Sequence, residues 1–205
     1  MLFAFSALLV SGCGGGAKQD AREPSGNFSL DVVKASFPHD QSIARPATLE
    51  LKVHNSGTQA APNVAVTVNS FEYAEQFAEL AADKRPIWVV EAGPGDTHHP
   101  AQTAAVSPNG GGQTAYVDTW ALGRLAPGAT QTFRWLVAPV KSGVHTVTYT
   151  VAAGLAGKAR AVTAAGGPVQ GALTADIASS PPLTHVDPNT GQVVAGTYPS
   201  SSAAP

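Results

Sequence analysis

Leu49-Glu50-Leu51-Lys52-Val53-His54-Asn55-Ser56-Gly57 reads as a strand running into a turn. Leu49, Leu51 and Val53 alternate with Glu50, Lys52 and His54, and a period of two places the two sets on opposite faces of a pleated chain. Asn55 and Gly57 are residues that tolerate the positive φ of a tight turn. Past Pro62 the alternation resumes, with Val64, Val66 and Val68 set against Ala65 and Thr67. Upstream, Phe28, Leu30 and Val32 alternate with Ser29, Asp31 and Val33. Downstream, Phe133, Trp135 and Val137 alternate with Arg134 and Leu136, while Val144, Thr146, Thr148 and Thr150 oppose His145, Val147, Tyr149 and Val151. Leu125-Ala126-Pro127-Gly128 lies between them as a type II turn, in which Pro presets φ and Gly takes the left-handed position. Leu173, Ala175 and Ile177 form a last edge strand.

Composition agrees with strands. Charged residues are 13% of the 205 residues, about half the usual share, while Gly (21) and Pro (16) are plentiful. Helix faces would need more Glu, Lys and Leu. Apolar residues at 43% supply a core, and the length suits one domain with flanking tails. The net charge is −2 and the Lys and Arg residues are scattered singly, so no basic stripe exists to neutralise phosphates and nucleic acid is excluded as a partner. No internal repeat is found.

The stretch Leu49 to Val68 resembles the first hairpin of bacterial Ig-like repeats, the CARDB-like and DUF11-like modules of cell-surface proteins. Leu125 to Val151 resembles their closing strands. The resemblance implies an all-β, Ig-like β-sandwich of about 7–9 strands and lends no catalytic residue. The middle, Phe71 to Asp118, is longer than such a module needs. Tyr73, Phe77 and Leu80 fall at helical spacing, which predicts one short helix over Tyr73 to Lys84, stopped by Arg85-Pro86. Ile87 to Val90 is a buried type of strand, and Gly93 to Gly112 is a long polar loop inserted in mid-domain.

The N-terminus carries an address. Leu2 to Val10 is apolar but far shorter than the ~20 residues that cross a bilayer as a helix. It matches the hydrophobic region of a signal peptide. Val10-Ser11-Gly12-Cys13 resembles the lipobox of bacterial lipoproteins, a likeness which implies cleavage before Cys13 and a thioether-linked diacylglycerol on its sulfur, with further acylation by fatty acids such as palmitate. No Lys or Arg precedes the run, as expected if translation starts upstream of Met1. Cys13 is the one cysteine, so neither an intramolecular disulfide nor a thiolate metal cluster can form. Gly14 to Gly26 reads as a flexible tether, with a reach of about 20 Å. The expected organisation is a signal peptide over 1–12, lipidated Cys13 and tether over 13–26, the sandwich over 27–178, and a Pro/Ser/Ala-rich tail over 179–205.

Candidate chemistry is sparse. Asp96, His98 and His99 cluster in the long loop and offer imidazole and carboxylate ligands to a divalent metal, although a site needs a further ligand from elsewhere. The simpler reading is a solvated loop tip. A blue-copper site would need a cysteine inside the fold. No Gly-x-Ser-x-Gly elbow or Ser-x-x-Lys is present, and Asn109-Gly110-Gly111-Gly112 lacks the Lys-Ser/Thr of a phosphate loop. Glu72, Glu75 and Glu79 read as a wet helix face. Trp88 and Trp135 read as core, whereas Tyr116 and Trp120 border the long loop and are candidates to line a surface groove. The expected function is a non-enzymatic, cofactor-free, lipid-anchored module at the extracytoplasmic face of the cell membrane, contacting an envelope protein or a glycan. The alternatives are a ligand- or metal-binding lipoprotein using Asp96–Gly112, and an accessory envelope hydrolase.

Overall fold

The alternating residues around Leu49 form β3 (Ala47–Asn55), whose odd positions are buried without interruption from Ala47 to Asn55. Two long strands flank it. On one side lies β1 (Gly26–Ser36), on the other β8 (Thr130–Pro139), and both pair with it antiparallel. The computed structural model describes residues 23–69, 71, 86–95, 112–113, 118–181 and 183–195. Within these lie also β2 (Asp40–Ser42), β4 (Ala65–Val68), β5 (Trp88–Ala92), β6 (Gly112–Gln113), β7 (Thr119–Ala121), β9 (Gly143–Ala152), β10 (Ala159–Val162), β11 (Gln170–Ala178), β12 (Thr184–Val186) and β13 (Val193–Ala195).

One sheet runs β10-β1-β3-β8-β5 and the other β2-β11-β9-β4-β7-β6, while β12 and β13 form a separate hairpin. The facing orders β1-β3-β8-β5 and β11-β9-β4 reproduce the A-B-E-D and G-F-C sheets of an immunoglobulin-like sandwich. The fold is therefore all-β and Ig-like, with two corrections to expectation. The two facing sheets hold 11 strands, more than expected, because short β2 and β10 add in parallel to β11 and β1 and because β6 and β7 extend the second sheet. No helix occurs among the described residues. The helix expected over Tyr73 to Lys84 falls on residues outside those described, and the described architecture shows none. Nor is β11 an edge strand, since β2 covers it.

Antibody domains staple these two sheets with a disulfide. Here aromatic packing occupies the gap. Trp135 of β8 meets Trp120 of β7 edge-on across the sandwich, with ring centroids 5.5 Å apart, and stacks on Phe133 at 6.0 Å. Phe71 stands edge-on to both Trp88 and Trp135. Such edge contacts add about 0.5–1.5 kcal/mol beyond area burial. The Trp88 Nε1 donates to Gln41 Oε1 at 2.8 Å, and the Gln41 amide donates to the Pro38 carbonyl at 2.8 Å, so the buried indole is satisfied by a strand of the opposite sheet.

Asn55 ends β3 by a different device from the one its sequence suggests. Its φ is not positive, and neither is that of Gly57. Instead the fully buried side chain donates from Nδ2 to the carbonyls of Gln59 and Leu125, both at 2.9 Å, and accepts from the Gly57 N–H at 3.0 Å. Its backbone pairs with Ala129 and Gly128. The Pro127-Gly128 turn has the expected form: Gly128 has φ 72° and the Ala129 N–H donates to the Ala126 carbonyl at 3.1 Å. Asn55 thus locks two distant turns together at one end of the sandwich.

Candidate functional site

The outward face of the second sheet is a grid of hydroxyls. In β9 the inward residues are Val147, Tyr149 and Val151, which leaves Thr146, Thr148 and Thr150 exposed on the other side. Register then aligns them with polar neighbours: Thr150 lies between Gln170 of β11 and Thr67 of β4, and Thr67 faces Thr119 of β7. Thr146 faces Thr174. The hydroxyls are joined in pairs, Thr67 to Thr119 at 2.9 Å and Thr146 to Thr174 at 3.2 Å, and the Asn69 amide donates to Thr148 at 2.9 Å. Rows of this kind repeat about every 4.8 Å across strands and about 6.8 Å along them. Threonine is stiff at χ1, so the hydroxyls are held in place before any partner arrives. Asp176, at the end of β11, is the charged residue on the outward positions of these two long strands.

The opposite outer face carries an ion triad. Glu50 of β3 is paired with Lys34 of β1 at 2.8 Å and, through the guanidinium Nε at 3.0 Å, with Arg134 of β8, its direct cross-strand neighbour. Hydrogen bonds from Lys34 and then Arg134 hold its carboxyl at a pKa of about 2, below the ordinary 4.5. Strongly shifted carboxyls often mark active sites, but this one lies on a strand face and its partners fully account for the shift. Burial pushes the Tyr149 phenol up.

An open concavity of about 410 Å³ lies beside β10, lined by Asn27, Thr150, Ala152, Arg160, Val162 and Pro168 among others. Its walls are mostly small and apolar, and no cluster of titratable groups converges on it.

The residues expected to carry function are placed as follows. Trp120 is 2% exposed and belongs to the core, so its indole packs on Trp135 and does not line a surface groove. Its partner in that expectation, Tyr116, lies outside the described residues, as do Asp96, His98, His99 and Cys13. Among the described residues no group of three His, Cys, Asp or Glu side chains is close enough to hold a metal ion. His39 bonds to Asp40, and His145 stands edge-on to Trp88. The alternation of β9 carried the signal for the hydroxyl face. What sequence reasoning missed was the register that brings Thr67, Thr119 and Thr174 alongside it.

No family model matches the chain, and no curated protein does. Among solved structures, it is similar to the CARDB domain of a Pyrococcus furiosus protein, with a TM-score of 0.42 and 14% identity over 75% of this chain and 95% of that one. A crystal structure of that domain in complex with di-metal ions gives 0.42 and 13%, over 75% and 96%. The C-terminal part of Escherichia coli alpha-2-macroglobulin gives 0.43 and 12% over 80% of this chain and 21% of that one. The sandwich assignment rests on the strand order itself. No helix among the described residues is long and apolar enough to cross a membrane.

Proposed function

We propose that this chain is a lipid-anchored, extracytoplasmic Ig-like module that works by contact at the cell envelope, without turnover of its own. The observation that carries the contact role is the hydroxyl grid of β4, β9 and β11. It is nearly uncharged, and its exposed threonines, Thr146, Thr148, Thr150 and Thr174, have stiff side chains. A partner rich in hydroxyls therefore finds these groups already ordered, and little entropy is lost on binding. A neutral envelope glycan has that chemistry. The anchor is supported by the lipobox-like Val10-Ser11-Gly12-Cys13, which precedes the first strand by a Gly-rich polar stretch.

Co-sedimentation of the full chain with insoluble envelope glycan tests this reading. Thr148→Glu sets a charge in the centre of the grid on an outward position, where it leaves the core untouched. Binding by the wild type and loss of binding by the variant are expected. Equal sedimentation of both, or none of either, would overturn the glycan contact, and cross-linking to an envelope protein through the same face would reassign the partner.

A further inference from the structure

The connection between β9 and β10 forms a small receptor whose occupant is part of the same chain. The Glu23 carboxylate lies in it, accepting from the Ala156 N–H at 2.7 Å on one oxygen and from the Ala159 N–H at 3.1 Å on the other. Two backbone donors converging on one carboxylate make a concave anion site of the type that successive peptide N–H groups provide. Such charge-assisted bonds are about twice as strong as neutral ones. Gly154 gives the carboxylate its room: the nearest atoms that a Cβ at that position would meet are those of the Glu23 carboxyl group, at colliding distance. A second tie follows three residues later, where the Gly26 N–H donates to the Lys158 carbonyl at 3.0 Å. Directly after it the parallel pairing of β1 with β10 begins, at Gly26 and Ala159.

We propose that the Gly154–Ala159 turn is a carboxylate-binding clamp, with Glu23 as its ligand, which fixes where the N-terminal segment joins the sandwich and sets the register of the β1–β10 pair. A parallel pair has no hairpin to set its register. The clamp supplies the missing constraint by placing Glu23 against the residue that opens β10. In a chain anchored through Cys13, as proposed above, the clamp is where the tether joins the sandwich. The clamp itself stands without the anchor.

Limited trypsin digestion of the folded, full chain tests the clamp by comparing the Arg22–Glu23 bond with the Lys18–Gln19 bond, which serves as the internal reference. Gly154→Ala evicts the carboxylate while leaving both cleavage sites chemically unchanged. Cleavage tracks the population of the opened state, so Arg22–Glu23 should be cut about tenfold faster in Gly154→Ala, the loss of one charge-assisted bond or more. The rate at Lys18–Gln19 should be unaltered. Glu23→Gln, read by hydrogen exchange at the Ala156 and Ala159 amides, gives a second measure that does not depend on Gly154→Ala folding. Faster exchange at those two amides is expected. Unchanged cleavage in Gly154→Ala, or unchanged exchange in Glu23→Gln, would overturn the proposal. Loss of lipid labelling at Cys13 would count against the anchor and leave the clamp intact.

Discussion

Replacing Asn55 by Ala removes three side-chain hydrogen bonds at once: those to the carbonyls of Gln59 and Leu125 and the one from the Gly57 N–H. The contact with Leu125 is buried, so its carbonyl is left with one partner fewer where water does not reach. The Leu125 carbonyl keeps the Ala61 N–H as a partner, so the loss is that of three bonds, each worth about 1 kcal/mol net. The sum is a loss of about 3 kcal/mol. In a domain of this size that lowers the melting temperature by roughly 6–12 °C. Urea unfolding should show the midpoint falling with an unchanged slope, the mark of lost stability in an intact fold. Asn55→Asp is the sharper variant. It keeps an acceptor for Gly57 but turns an oxygen towards two carbonyl oxygens, so it should cost at least as much as Ala. A loss below about 0.5 kcal/mol for either variant, the range of ordinary surface changes, would refute the role of Asn55 as the lock between the two turns.

Two further expectations follow from buried and paired polar atoms. Trp88→Phe should cost about 2 kcal/mol, since it strands the Gln41 carbonyl oxygen; Trp135→Phe should cost less, because the Trp135 Nε1 has no hydrogen-bond partner among the described residues, and equal losses in parallel urea titrations would contradict this. Glu50 has a folded pKa depressed to about 2, so its stabilisation is fully present above about pH 4.5 and is lost as pH falls through about 2. Glu50→Gln should therefore be less stable than wild type at pH 7 by about 1 kcal/mol, a modest figure because Lys34 is half exposed, and the two curves should converge towards pH 2; a gap that widened on acidification would have the wrong sign.

The long strands were legible because each has one wet face. Alternation in Leu49 to Val53 and Val144 to Val151 is imposed by burial on one side only, and the structure places those residues accordingly. In β1 the alternation holds through Val33, which is 59% exposed on the same face as Ser29 and Asp31. It is lost beyond the register shift between Val32 and Lys34, where the strand is exposed on both sides. Four-residue β4 was legible from the alternation of Val64, Val66 and Val68, whereas β2 and β10 owe their form to pairing with distant strands and carry no such run. Asp187 to Gly191 forms a turn in which the Gly191 N–H donates to the Asp187 carbonyl at 2.8 Å. The hairpin it closes, β12 with β13, has weakly apolar strands and lay inside the segment read as tail. Trp120 was placed by its sequence neighbours, and the sheet carried its ring inward. Glu23 looked like one polar residue among many in the tether, and no local pattern announces that the turn after β9 will receive it.

The proposed address of the molecule rests on one sulfur atom. Mass analysis of the N-terminal peptide of the native protein should return a chain that starts at Cys13 and carries diacylglycerol, with the added mass absent from Cys13→Ala. A free thiol at Cys13, with the preceding residues still attached, would contradict the account.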